Sequence, residues 1–190
     1  MKDVILYPTE TIYGLGVHAL DVEALKVLFA IKGRDAAQTA SWLVRDIADI
    51  ERYAEIGDTA RRVAEHFLPG PLTLILKAKA SVPNTCIAPD GTIGFRISSD
   101  SVAQKLIAEY MAAHDAPLTC TSANLHGKVP QATTEEILTQ LGDRVAHITQ
   151  VVDDGPRQGA ASTVVRILDD TIEIIREGAI TESNIKAYIL

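Results

Sequence analysis

At 190 residues, 47% hydrophobic and 23% charged, the chain has globular composition and length for a substantial core, which excludes intrinsic disorder. A net charge of −7 and a pI near 5.2 argue against tight, nonspecific nucleic-acid binding, which needs a basic footprint. No apolar run nears the roughly 20 residues of a membrane helix, Pro8 and Glu10 break any signal-peptide core, and Cys86 and Cys120 make no disulfide framework or metal spacing, so a cytoplasmic protein folding as one domain over 1–190 is expected.

In chain order, Val4-Ile5-Leu6-Tyr7 reads as a strand that Pro8 ends. A loop of threonines, a glutamate, a tyrosine and two glycines follows as far as Gly16. Asp21 is a helix N-cap, and Ala24, Leu25, Leu28, Phe29 and Ile31 recur at helical spacing up to Lys32. Lys32-Gly33-Arg34 then sets a mobile point charge and a planar fork near that loop, which suits phosphate or carboxylate. Taken alone, the two cations are at least as well explained as a solvated helix C-terminus, where positive charge favours the dipole.

Leu43-Val44 marks a second strand, and helices cover Asp46 to Ala54 and Asp58 to Phe67, the latter ended by Pro69-Gly70. Leu72 to Lys77 and Thr92 to Ile97 read as strands. Asp100 or Ser101 caps a helix through Tyr110, Leu118 to Thr121 is a strand, and Thr133 or Thr134 caps a helix through Leu141. Strands follow near 145–152, 163–168 and 172–176, with a turn at Asp169-Asp170 between the last two, before a short helix from about Thr181. This irregular interleaving predicts an α/β domain with a mixed sheet.

Three arginines, Arg34, Arg96 and Arg176, lie at or next to the ends of predicted elements. In Phe95-Arg96-Ile97 the alternation points Arg96 away from the face of its apolar neighbours, toward either a site or solvent. Ser122 and Asn124 follow a strand at a tight turn that can present side chains and N–H groups to phosphate, although Ser-Ala-Asn is more often a plain turn or cap. Tyr13 can close a pocket, but a core tyrosine with a satisfied hydroxyl is the safer reading. Gly14-Leu15-Gly16 is a poor dinucleotide fingerprint, because six loop residues separate it from the strand. There is no Walker loop, no nucleophile elbow at Ser122 and no metal-ligand spacing among the five histidines, and Cys120 reads as a small core residue.

Seven segments, taken together, resemble the YrdC-like family of threonylcarbamoyl-AMP synthases. They are Pro8-Thr9-Glu10-Thr11-Ile12-Tyr13-Gly14-Leu15-Gly16, Lys32-Gly33-Arg34, Phe67-Leu68-Pro69-Gly70-Pro71-Leu72-Thr73, Phe95-Arg96-Ile97, Thr121-Ser122-Ala123-Asn124, Ser162-Thr163-Val164-Val165 and Arg176-Glu177-Gly178-Ala179-Ile180. Each is weak alone; seven in family order are not. The resemblance implies a twisted open mixed sheet with helices packed around a concave active site, in the short, single-domain type of synthase. It departs from the family at Asp35, Thr39-Ala40, Leu43, Arg166 and around Pro130 or Gln131.

The resemblance implies a nucleotidyltransferase that converts L-threonine, bicarbonate and ATP to threonylcarbamoyl-AMP and pyrophosphate, for N6-threonylcarbamoyladenosine in tRNA. It makes Lys32 and Arg34 the charge-neutralising pair and assigns Arg34, Thr92, Ser122, Asn124 and Arg176 to nucleotide. Thr11, Arg96 and Ser162 fall to L-threonine. Mg²⁺ is expected to ride on the nucleotide, with no protein metal site. A downstream tRNA threonylcarbamoyl-transfer complex is the implied partner, with at most weak direct contact to tRNA. Two alternatives stay open: a non-enzymatic RNA-binding module of the same fold, and a carbamoyl-adenylate-forming relative.

Overall fold

Alternation along the strands divides the molecule into two sides. Leu72, Leu74 and Leu76 are fully buried on one face of their strand, and Thr73, Ile75 and Lys77 point to the other. Thr163, Val165 and Ile167 are likewise buried, while Val164, Arg166 and Leu168 are half-buried on the opposite face. Period-2 patterning of this kind is what a sheet with two unlike environments requires.

The computed structural model describes residues 3–33 and 39–189, which leaves Arg34 and Asp35 outside the described residues. The strands are β1 (Ile5–Tyr7), β2 (Gly14–Gly16), β3 (Ser41–Leu43), β4 (Leu72–Lys77), β5 (Thr92–Arg96), β6 (Leu118–Ser122), β7 (Gln150–Val151), β8 (Thr163–Leu168) and β9 (Thr171–Arg176). The helices are α1 (Val22–Lys32), α2 (Ile47–Tyr53), α3 (Asp58–Phe67), α4 (Ser101–His114), α5 (Thr134–Leu141) and α6 (Glu182–Ile189). The strands form one nine-stranded mixed sheet in the order β7-β1-β2-β6-β3-β5-β4-β8-β9. Pairs β1/β7, β3/β5 and β4/β8 are parallel and the rest antiparallel.

One face carries the main core, which takes in Leu28 and Ile31 of α1, Ile50 of α2, Val63 of α3, Ile137 of α5 and Ile185 of α6. On the other face α4 packs Ile107, Tyr110 and Met111 over Ile5, Tyr7, Leu43 and Leu118. This helix covers only the β1–β6–β3 part of its face. Residues of β5, β4 and β8 on that side, Arg96, Thr73 and Val164 among them, are left to floor a cleft.

Most expected elements are present, and their ends follow from local chemistry. The Asp21 carboxylate accepts from the N–H groups of Glu23 and Ala24, and Asp100 caps α4 through Val102 and Ala103. Thr133 and Glu136 form a capping box at α5. The helix expected to stop at Tyr110 runs one turn further, because Asp115 adopts a left-handed conformation (φ 52°) and ends it. Asp169 and Asp170 both have positive φ, as a two-residue hairpin turn between β8 and β9 demands.

Two expectations need correction. The strand expected over 145–152 is only Gln150–Val151, preceded by a 3₁₀ turn over Gly142–His147. The loop expected to run through Gly16 contains β2, hidden because two of its three residues are glycine. The packing explains those glycines. The Tyr7 ring lies against β2, and its hydroxyl donates to the Thr119 carbonyl at 2.9 Å. A Cβ at Gly16 would sit 2.7 Å from the Thr119 oxygen and 2.9 Å from Tyr7 Cε1. Gly16→Ala is therefore expected to lower the unfolding free energy by about 1–3 kcal/mol, the usual range for overpacking. Urea denaturation checks it; an unchanged midpoint would mean the ring has room to move.

Candidate active site

Arg96 lies at the centre of the cleft. Phe95 and Ile97 go to the main core, so the strand alternation turns Arg96 to the other face, where its side chain is 7% exposed. Solvent exposure, one of the two readings of the sequence, does not occur. Its Nη2 donates to the Glu10 carboxylate and, at 3.1 Å, to Thr11 Oγ1. The second oxygen of Glu10 accepts from Ser98 Oγ, and Ser98 in turn accepts from the Asp100 N–H at 3.2 Å. Arg96 Nε is buried with no hydrogen-bond partner.

The segment that delivers Glu10 and Thr11 is folded by its own hydroxyls. Thr9 Oγ1 lies 2.9 Å from Thr11 Oγ1 and donates to the Ile12 carbonyl at 2.6 Å. Tyr13, buried as expected, directs its hydroxyl to the Gly155 carbonyl at 2.8 Å and to Asp153 at 3.1 Å. It thereby ties the 153–155 segment to the cleft wall. Arg157 completes that wall, donating to the Thr9 carbonyl at 3.1 Å and pairing with Asp100 at 3.0 Å.

Lys32 is not the solvated helix end that its position suggests. It is 3% exposed, and its Nζ donates to the carbonyls of Ser122 and, at 3.0 Å, of Asn124. The cation thus organises the Ser122–Asn124 turn from beneath. Asn124 is buried; its amide donates to the carbonyls of Leu125 and Lys128, while its Oδ1 is buried without a partner.

Opposite the turn, Ser162 Oγ lies 2.9 Å from Thr73 Oγ1. Arg176, from the end of β9, donates to the Ser162 carbonyl at 2.8 Å. Its only hydrogen-bond partner among the described residues is Ser162. Partial desolvation, with the like charge of Arg96, holds the Arg176 guanidinium below the usual arginine range. Two guanidinium groups that line one cleft suit an anionic ligand.

These groups surround a cavity of about 470 Å³, lined by Arg96, Ser122, Asn124, Ser162 and Arg176 among others. Thr11 reaches it through Arg96, and Lys32 lies under its turn. Thr92 stands apart. It lines a hollow of about 200 Å³ that continues the floor, sharing Thr39, Ala40 and Ser41 with the main cavity. Arg34 lies outside the described residues. Nothing in the sequence alone marks Glu10, Ser98 or Arg157 as part of the site. Glu10 stood in plain view between two threonines, and a lone carboxylate near a buried arginine was the available signal. Arg157 had none, because two of its partners, Thr9 and Asp100, come from distant segments.

The chain is similar to several known proteins. The Sua5/YciO/YrdC family model, described as telomere recombination, matches residues 2–178. A putative threonylcarbamoyl-AMP synthase of Methanocaldococcus jannaschii is 36% identical over 93% of this chain and 80% of its own length. The threonylcarbamoyl-AMP synthase of Bacillus subtilis is 34% identical over 99% of this chain and 53% of its own. Among solved structures, Pyrococcus abyssi Sua5 complexed with L-threonine has a TM-score of 0.88 at 29% identity, covering 99% of this chain and 54% of that one. Escherichia coli YciO has a TM-score of 0.82 at 28% identity, covering 96% and 86%. The chain belongs to the Sua5/YciO/YrdC family. It spans about half the length of the B. subtilis and P. abyssi proteins. Among the described residues, no helix is long and apolar enough to cross a membrane.

The position of Lys32 yields a test. Lys32→Met keeps the stem and removes the donor, leaving the Ser122 and Asn124 carbonyls without it. Stability should fall by about 1.5–3 kcal/mol, the range for hydrogen bonds to a charged group. Nucleotide affinity should fall with it, because the turn is no longer held. Wild-type stability by urea denaturation would show that Lys32 does not order the turn.

Proposed function

We propose that this protein is an L-threonylcarbamoyladenylate synthase, converting L-threonine, bicarbonate and ATP to threonylcarbamoyl-AMP and pyrophosphate. The observation that carries the reading is Arg96: a buried guanidinium whose Nε has no partner, facing a cleft that a second arginine overlooks. The synthase names of the relatives and the L-threonine in the Sua5 complex support the same chemistry.

In this reading the threonine carboxylate takes the unfilled edge of Arg96, with Thr11 and Ser162 near its polar groups. The amine combines with CO₂ from bicarbonate to give a carbamate. One carbamate oxygen then attacks the α-phosphorus of ATP, forming a P–O bond as the bond to pyrophosphate breaks. No enzyme nucleophile is needed; the site acts by holding two anions together and offsetting the charge that builds at phosphorus. Arg176 and the Ser122–Asn124 turn orient the nucleotide, Lys32 holds that turn, and Arg34 is the further cation expected at phosphate. Mg²⁺ enters as part of the nucleotide substrate. The activated threonylcarbamoyl group passes to adenosine in tRNA through a separate transfer complex, in the cytoplasm.

Pyrophosphate release from ATP tests this directly. It should depend on L-threonine, fall when valine replaces threonine, and be weak but measurable with serine, which loses about 1–3 kcal/mol for one methyl. Valine should be worse than serine, because it leaves the hydroxyl-binding groups unpaired. Valine performing as well as threonine would overturn the assignment of the pocket. Arg96→Gln should weaken all amino acids alike by removing the shared carboxylate anchor. Arg34→Ala should lower catalytic efficiency about tenfold to a hundredfold, with no rescue by lysine; unchanged turnover would remove Arg34 from the site.

A further inference from the structure

Arg176 stands at an exposed corner of the sheet. It is the last residue of β9, the outermost strand, which has no neighbour on its far side among the described residues. An exposed side chain in that place keeps one direction only if its backbone is fixed. Two devices fix it. The first is a bulge: Val165 pairs with Ile174 and Val164 with Arg176, so Ile175 is an extra residue in β9. In an unbroken ladder Ile175 would oppose Val164 on the cleft side, and Arg176 would oppose Thr163 on the core side. The bulge exchanges their places.

The second device is Thr163, the β8 residue that the bulge leaves without a partner in β9. It is fully buried, and its hydroxyl spends its whole hydrogen-bonding capacity on the chain that follows Arg176. It donates to the Ile180 carbonyl at 2.5 Å and accepts from the N–H groups of Gly178 and Ile180, both at 3.0 Å. Gly178 permits the approach: a Cβ there would lie 2.2 Å from the Ala161 carbonyl oxygen and 2.7 Å from that of Ser162. The Ala179 N–H donates to the same Ala161 carbonyl at 2.9 Å. The 178–180 turn is thereby locked to the 161–163 segment, whose middle residue receives Arg176. Nη2 of Arg176 donates to the Ser162 carbonyl at 2.8 Å and lies 3.4 Å from its hydroxyl.

Resting on the synthase reading, in which Arg176 orients the nucleotide, we infer that Thr163 is the positioning residue for that arginine. Thr163 does not line the cleft. Its hydroxyl acts from the core side of the sheet, through the 178–180 turn, and sets where the guanidinium points.

Calorimetric titration of the whole protein with ATP, in the absence of threonine, tests this. Thr163→Val keeps the shape of the side chain and removes the hydroxyl, and ATP should bind about tenfold more weakly, as when a charged contact is displaced. Thr163→Ser keeps the hydroxyl and should stay within about twofold of wild type. In an Arg176→Ala background, Thr163→Val should cost less than about twofold further, because its effect runs through the guanidinium. Gly178→Ala breaks the same clasp from the other side, should also weaken ATP about tenfold, and serves if Thr163→Val does not fold. A folded Thr163→Val or Gly178→Ala variant that binds ATP like the wild type overturns the inference. So does a further loss of about tenfold once Arg176 is gone, since a purely structural role predicts that. Wild-type protein that binds no ATP would overturn the synthase reading itself, which separates the two failures.

Discussion

Removing a guanidinium from water costs several kcal/mol unless a carboxylate and further hydrogen bonds receive it. Arg96 meets that condition on one edge only. Glu10 and Thr11 take Nη2, Ser98 fixes Glu10, and the N-terminal turn of α4 fixes Ser98. Nε is left buried and empty-handed. A charged donor kept in that state by the fold is costly, and in the proposed reaction the threonine carboxylate would be the acceptor brought to this guanidinium. The segment from Thr9 to Tyr13, the placing of α4 and the wall at Arg157 all serve to keep that one side chain where it is.

The cleft exists because helix coverage of the sheet is unequal. One face is closed by five helices around the main core, and the other by α4 alone, over the β1–β6–β3 part. Beyond Leu43 the same face passes from apolar residues to Arg96, Thr73 and Val164. Burial under α4 and polarity in the cleft are therefore two halves of one surface. The boundary falls where Leu43 and Arg96 pair across β3 and β5. A rigid sheet beneath the site suits a reaction that depends on holding two substrates in line, since strands position side chains better than loops do.

Much of this was legible in the sequence, and the reasons differ by element. Helix α1 announced itself through an Asp cap and apolar spacing, and β4, β5 and β8 through short apolar runs between turn residues. β2 was not legible, because its glycines answer to the Tyr7 ring and not to any strand propensity. The partition of Arg96 to the cleft face followed from alternation, but its burial did not, since that depends on Glu10 arriving from 86 residues away. Lys32 illustrates the limit most clearly. Its place at a helix end predicts exposure, and only tertiary packing reveals that the cation faces two carbonyls from β6 and the turn after it. Family resemblance grouped Thr92 with the nucleotide residues; the fold puts it one hollow away from the others, on the same floor.

In the proposed reaction one cleft joins an amino acid, inorganic carbon and an adenylate. Mass spectrometry of a reaction with ATP, L-threonine and ¹³C-bicarbonate tests it most directly. The expected product is a threonylcarbamoyl-AMP species that carries the heavy carbon and disappears when threonine is left out. Nucleotide turnover with no heavy carbon in any adenylate, or none at all with all three substrates present, would contradict it.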